Sequence, residues 1–160
     1  MANINSSVKA TPGSVNEGAL QKREATIKFQ DIIDAANAAS SVDDDTITYT
    51  IPVEAGEEVV RVGVRLDEAF DDSGAGSTLT VVAGDGSDAD GYITSAELHV
   101  DGTEISWVAN TGALVVGGAS ARGKLYTSDD TIDILLTPSS YNLNELTQGK
   151  AVVTAYIAKF

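Results

Sequence analysis

A period of two runs through short segments of this sequence and restricts the fold more than any other feature. Within Thr46–Val53 apolar side chains alternate with threonines, and within Val60–Leu66 they alternate with Arg61, Gly63 and Arg65. Successive side chains of an extended strand point to opposite faces, so each segment is predicted to be a strand with one face in a core. The residues predicted for that core are Ile47, Tyr49, Val62, Val64, Leu79, Val81, Trp107, Ile132 and Ile134.

About eight or nine such segments, separated by turns rich in Gly and Asp, predict an all-β fold, an antiparallel β-sandwich or jelly-roll-like domain. At most one short helix is expected. Between Phe29 and Ala36 the apolar residues are spaced i, i+3, i+4, i+7, which predicts a helix over Asp31–Asn37. The run Ala151–Ile157 is apolar on both faces, which is typical of a central strand or of a strand whose outer face meets another subunit.

The first part of the chain differs from the rest in composition. Residues 1–25 are rich in Ser, Asn, Gly and Thr and show no sustained apolar period, so we predict an extended N-terminal arm, followed by a β-sandwich domain of residues 26–160. The chain has a net charge of −14, but its first stretch is mildly basic. Lys9, Lys22 and Arg23 are therefore the residues predicted to bind a partner.

Charge and composition exclude several classes of function. An acidic body repels nucleic acid and anionic lipid, so neither nucleic acid nor a membrane is expected as a partner. The sequence contains no cysteine, which rules out disulfides and thiolate metal sites. No basic run followed by an apolar stretch begins the sequence, and no segment approaches the roughly 20 apolar residues of a membrane helix. We therefore expect a soluble protein made in the cytoplasm.

Gly84–Glu97 is the densest group of potential metal ligands. Aligned from Gly86, it places Asp88 and Asp90 at the third and fifth positions of an EF-hand calcium loop and Glu97 at the twelfth. However, Gly86 offers no ligand at the first position, and the flanks have the pattern of strands. The segment is either an acidic turn between two strands, which needs no metal, or a Ca²⁺ or Mg²⁺ site. The residues of such a site would be Asp85, Asp88, Asp90 and Glu97.

No arrangement of residues indicates catalysis, and we predict that the protein is not an enzyme. The single histidine, His99, faces opposite to Leu98 and Val100 in a predicted strand, so it is expected to be an exposed sheet residue rather than a general base. The glycine-rich segment Gly117–Gly123 lacks the strand-then-helix context of a nucleotide-binding loop.

Arg61 and Arg65 share one face of a predicted strand. That face could bind the carboxylates of a partner, because guanidinium groups bind carboxylates through paired hydrogen bonds. Alternatively, both arginines pair with Asp or Glu on neighbouring strands, as is common across a sheet.

Four segments, taken in order, resemble a known class of protein. They are Val60–Phe70, Gly84–Thr94, Ala121–Asp133 and Leu146–Val153. Their succession resembles that of small virion proteins of tailed bacteriophages, the capsid decoration or cement proteins. The resemblance extends over residues 45–160 and does not include the predicted arm.

The resemblance implies a β-sandwich subunit, usually trimeric, on the outside of an icosahedral phage head. Such a subunit binds the major capsid protein and stabilises the shell, and no catalytic residue belongs to the class. Two alternatives remain open at this stage. One is a calcium-dependent β-sandwich module that binds a glycan or a cell surface, and the other is a structural protein of a phage tail or neck.

Overall fold

A computed structural model describes residues 2–4, 20–38, 46–72, 78–99, 107–109 and 123–159. Strands dominate these residues. In chain order the elements are β1 (Ala2–Ile4), β2 (Leu20–Lys28), α1 (Phe29–Ala38), β3 (Ile47–Val53), β4 (Glu57–Asp71), β5 (Thr78–Asp85), β6 (Asp88–Glu97), β7 (Trp107–Ala109), β8 (Lys124–Leu125), β9 (Asp130–Ser139), a 3₁₀ helix (Leu143–Glu145) and β10 (Gln148–Lys159).

The described strands form two sheets, and the predicted all-β sandwich is confirmed. The first sheet has the order β1-β3-β9-β5-β6, and the second has the order β2-β10-β4-β7, with β8 also paired to β4. Neighbouring strands are antiparallel except β1 and β3, which are parallel. Several strand pairs join residues that are far apart in the sequence, such as Ala25 and Val153.

The core lies between the inner faces of the two sheets. Apolar residues that alternate along each strand fill it, as the period of two requires. The predicted core residues with described side chains are all buried: Ile47, Tyr49, Val62, Val64, Leu79, Val81, Ile132 and Ile134. The prediction for the Trp107 side chain lies outside what the structure describes.

The predicted helix is present and is slightly longer than its spacing indicated. Helix α1 spans Phe29–Ala38 and buries Ile32 and Ala36, while Phe29 and Ile33 pack partly against the core. It contacts the 3₁₀ helix and the strands β1, β2, β3 and β10, so it closes one end of the sandwich between the sheets.

The N-terminal boundary of the sandwich differs from the prediction. Strand β2 runs from Leu20 to Lys28 and pairs with β10 over Leu20–Lys28, so residues 20–25 belong to the sandwich rather than to an arm. The charged residues around Arg23 hid this strand, since its inner face carries only Ala25 and Ile27 as buried apolar side chains. Most of the predicted arm, including Lys9, lies outside the described residues.

A bulge in β4 changes the alternation expected for Val60–Leu66. Tyr156 pairs with Arg61 and Ile157 pairs with Val59, which leaves Val60 as the extra residue. Val59 is consequently buried in the core, whereas Val60 is only half-buried. Such a bulge shifts one strand by one residue and thereby changes which side chains face the core.

Candidate interaction surface

The outer face of the second sheet gathers an unusual share of the positive charge of this acidic chain. Strand β10 lies between β2 and β4, and its outward residues Val152, Thr154, Tyr156 and Ala158 are flanked by long polar side chains of both neighbours. We call this surface the basic face. Its cations are Lys22, Lys28, Arg61, Arg65 and Lys150, and its carboxylates are Glu24, Glu58, Asp67 and Glu68.

Five of the ten Lys and Arg residues of the chain therefore lie on one face. With five cations against four carboxylates, the face has a net charge of about +1, so the rest of the chain, whose total is −14, carries about −15. Among the described residues, most carboxylates thus lie away from the basic face.

Ion pairs hold part of the basic face in place. Lys22 Nζ lies 2.6 Å from Glu24 Oε1, and Lys150 Nζ lies 3.3 Å from Asp67 Oδ2. Arg65 Nε donates to Asp67 Oδ1 over 2.5 Å, and this hydrogen bond holds the pKa of Asp67 below its usual value. Arg65 therefore pairs with a carboxylate of its own strand, and not with one on a neighbouring strand as the cross-strand alternative expected.

The remaining cations of the face point outward. Lys28 and Arg61 are both exposed, and neither contacts a carboxylate in the part of the chain that the structure describes. The half-buried Tyr156 is the register partner of both Lys22 and Arg61, on either side of it. Tyr and Arg at the centre of a surface are the residue types that contribute most to protein–protein binding. The arrangement suits a partner that presents carboxylates.

Of the residues predicted to bind a partner, Lys22 is on the basic face and Arg23 is not. Alternation along β2 turns Arg23 inward, where its Nη1 and Nη2 lie 2.9 Å and 2.6 Å from the two carboxylate oxygens of Glu57. Arg23 also donates to the carbonyl oxygen of Pro52 in the first sheet, and Glu57 accepts from the Glu54 backbone N–H. Arg23 therefore links the two sheets inside the protein and is not a docking residue.

The residues predicted to bind a metal do not form one site. Gly84–Glu97 is the β5–β6 hairpin, in which Asp85 pairs with Asp88 and Thr80 pairs with Glu97. The stretch of β5 from Thr80 to Asp85 is roughly 16 Å long at about 3.3 Å per residue, so Glu97 is too distant to share an ion with Asp85. The segment folds as a turn between two strands, as the pattern of its flanks predicted.

The backbone geometry of this hairpin requires a glycine at position 84. Residues Ala89–Tyr92 form a bulge opposite Gly84, and a Cβ on Gly84 would lie 1.9 Å from the Asp88 carbonyl oxygen. Only glycine permits so close an approach of two backbones.

Asp85 is buried and is fully engaged by hydrogen-bond donors. Its Oδ1 accepts from the backbone N–H and the hydroxyl of Ser87 at 2.9 Å and 2.6 Å, and its Oδ2 accepts from Lys124 Nζ and from the Tyr126 hydroxyl. Burial opposes ionisation of Asp85, but these donors outweigh it and hold its pKa well below the usual value. Burial also raises the pKa of Tyr126, whose hydroxyl lies 2.6 Å from that of Tyr92. The group is therefore a satisfied structural network.

A further cluster was missed by the sequence reasoning. His99 is not an exposed sheet residue, since it lies beyond the end of β6 with its side chain 13% exposed, and its Nε2 lies 3.3 Å from Asp72 Oδ1. Asp71 completes the cluster. Its members are far apart in the sequence, and only the pairing of distant segments brings them together.

A search of the described helices finds none that is long and apolar enough to cross a membrane. No protein-family model matches the chain, and no curated protein matches it significantly. A phage capsid chain has the same fold. This solved structure, the capsid asymmetric unit of cyanophage Pam1, matches with a TM-score of 0.58 and 18% identity, over 92% of this chain and 90% of that chain.

Proposed function

We propose that this protein is a structural component of a tailed-phage virion, and specifically a decoration protein on the outer surface of the head. The observation that carries the proposal is the match of nearly the whole chain to a chain of the Pam1 capsid asymmetric unit. The order of segments in the sequence supports the same class independently. A structural role also fits the side-chain clusters of the described residues, which serve as internal ties.

The basic face is the surface that we propose for docking. An acidic protein binds a surface that presents carboxylates best through its cationic side. On the basic face, Arg61 lies beside Tyr156 and Lys28 lies further along β2, and their guanidinium and ammonium groups suit carboxylates of the major capsid protein. Binding of many copies, as trimers or another homo-oligomer, would make weak single contacts strong in total.

Reversal of one charge on the basic face tests this proposal. Purified protein would be added to phage heads that lack it, and bound copies would be measured by co-sedimentation and by cryo-electron microscopy. We expect Arg61→Glu to weaken binding by at least tenfold, because it places a carboxylate opposite the carboxylates of the partner. Lys159→Glu is the matched control, since Lys159 pairs with Glu54 away from the basic face.

The outcomes separate the docking surface from the function. If Arg61→Glu and Lys159→Glu both bind heads like the unaltered protein, the basic face is not the docking surface. If the unaltered protein does not bind heads at all, the proposal of a decoration protein is wrong. Density on the tail or neck in images of intact particles would favour the alternative structural role there.

A further inference from the structure

Three side chains with metal-binding groups converge where β4 ends and where the chain leaves β6. His99 Nε2 lies 3.3 Å from Asp72 Oδ1 and 3.7 Å from Asp71 Oδ1, and one ligand atom from each residue lies within 4.8 Å of the others. Ligands bound tetrahedrally to Zn²⁺ at about 2.0–2.1 Å are separated by about 3.3 Å. The spacing of this cluster is therefore that of ligands around a small cation.

Backbone hydrogen bonds fix the positions of these residues. The carbonyl oxygen of Asp71 accepts from the backbone N–H and the hydroxyl of Thr147, at 2.7 Å and 3.0 Å. Next to it, the Phe70 N–H donates to the Leu98 carbonyl oxygen over 3.0 Å. The His99 N–H donates to Glu97 Oε1 over 2.8 Å. Ligands held in advance by their scaffold lose little freedom when an ion binds.

Tyr141 provides an independent indication of a bound group. It is 6% exposed, and its buried hydroxyl has no hydrogen-bond partner within the described part of the chain. Its ring centroid lies 6.1 Å from that of His99, tilted by 43°. Burial raises the pKa of Tyr141, and the negative charges of Asp72 and Glu97 add to this effect. A buried hydroxyl without a partner is costly unless something at the site satisfies it.

We propose that Asp71, Asp72 and His99 bind a divalent transition-metal ion, best fitted by Zn²⁺, and that the Tyr141 hydroxyl supports a metal-bound carboxylate or water. An imidazole ligand favours Zn²⁺ over Ca²⁺ and Mg²⁺, which prefer oxygen ligands only. The side chains of Asp72 and His99 are 5% and 13% exposed, whereas that of Asp71 is 47% exposed. The site is thus closed on one side and open to solvent at Asp71. Its role would be structural, joining β4 to the segment after β6.

Two measurements on the chelator-treated full chain test the site. Titration with ZnCl₂, CaCl₂ or MgCl₂, measured by calorimetry, gives the affinity and stoichiometry, and thermal unfolding with each salt gives the melting temperature. We expect Zn²⁺ to bind with one ion per chain and to raise the melting temperature by roughly 5–10 °C at a hundredfold excess over Kd. Ca²⁺ and Mg²⁺ should bind at least tenfold more weakly. His99→Gln should weaken Zn²⁺ binding by at least tenfold, and Tyr141→Phe by several-fold. Asp90→Asn, on the exposed hairpin, is the matched control and should leave binding unchanged.

The imidazole of His99 offers a second measurement that needs no variant, since it is the only histidine in the chain. Its NMR resonances should shift on addition of Zn²⁺, with the same stoichiometry as the calorimetry. Absence of Zn²⁺ binding, binding that leaves the His99 resonances unmoved, or binding that Asp90→Asn abolishes would each overturn the proposal. The proposal does not depend on attachment to a phage head.

Discussion

A single carboxylate, that of Asp85, ties the turn of the β5–β6 hairpin in the first sheet to the region of β8 in the second. Its partner Lys124 lies on β8, which pairs with β4. Lys124 also stands over the ring of Tyr126, with its Nζ 5.0 Å from the ring centroid. A charge buried with this many donors is stable only while it stays ionised, so the tie depends on pH.

The sign of that dependence follows from the lowered pKa of Asp85. Folding favours the ionised carboxylate of Asp85. The stabilisation of the folded state by Asp85 is therefore complete above about pH 3.9, the usual pKa of aspartate, and is lost as the pH falls below that value. We expect Asp85→Asn to lower the free energy of unfolding at pH 7 by about 3 kcal/mol, because it breaks a buried charge pair. Urea unfolding at a series of pH values measures both quantities.

Loss of stability on acidification should be less steep in Asp85→Asn than in the unaltered chain. The exposed Asp90→Asn provides the control, and we expect it to change stability by less than about 0.5 kcal/mol. Equal acid sensitivity of the unaltered chain and of Asp85→Asn would show that Asp85 is not a source of the pH dependence.

The buried pair of Arg23 and Glu57 makes a second prediction at this scale. Arg23→Met leaves the carboxylate of Glu57, which is 1% exposed, without its main partner, so we expect a loss of about 3–5 kcal/mol in stability. The double variant Arg23→Met/Glu57→Met should recover most of this loss, since it leaves no buried charge. A thermodynamic cycle from urea unfolding gives the coupling between the two residues.

Lys22→Met is the control for this cycle, because Lys22 is the exposed neighbour of Arg23 on the same strand. We expect it to change stability by less than about 0.5 kcal/mol. If the double variant were no more stable than Arg23→Met, the cost would arise from lost packing of the arginine stem and not from an unpaired charge.

At the scale of elements, local pattern predicted the strands well and predicted bulges poorly. The threonine alternation in β3 and the helical spacing in α1 report only on a few neighbouring residues, and both were correct. The bulges at Val60 and at Ala89–Tyr92 depend on the register of a partner strand. The hairpin was compared with an EF-hand loop because Asp and Gly serve both a metal loop and a bulge.

The β5–β6 hairpin contains its own matched pair of glycines. A Cβ at Gly84 would meet the Asp88 carbonyl oxygen at 1.9 Å, whereas a Cβ at Gly86 would have nothing within 4 Å. We therefore expect Gly84→Ala to destabilise the protein by about 3 kcal/mol or more and Gly86→Ala to be neutral or slightly stabilising. Thermal unfolding followed by circular dichroism measures the difference. Similar melting temperatures for both variants would show that the bulge relaxes without cost.

At the scale of the whole molecule, composition predicted a strongly acidic body but could not show where the cations lie. The basic face exists because β2, β4 and β10 are adjacent, although β2 and β10 are far apart in the sequence. Lys22 is an exposed cation on a strand and not on an arm, and its binding to a partner stays a prediction. The cluster around His99 was missed because its members lie far apart in the sequence and meet only when distant segments pair.

The salt dependence of binding should reveal whether the charge of the basic face contributes to docking. If the basic face meets carboxylates, added salt screens that attraction, with a screening length of about 10 Å at 0.1 M and 3 Å at 1 M. We expect the ratio of head affinities between the unaltered protein and Arg61→Glu to shrink towards one between 0.05 M and 0.5 M NaCl. A ratio that stays constant would indicate that Arg61 acts through shape and not through charge. Binding would be measured with fluorescently labelled protein.

The central position of β10 has a consequence for biosynthesis. Residues Gln148–Lys159 separate β2 from β4 and follow every other described strand in chain order. While a ribosome is still translating, β2 and β4 therefore both expose an unpaired edge that β10 will later occupy, and such edges invite aggregation. A premature stop codon before Gln148 would leave the nascent subunit with two halves of a sheet and nothing to join them.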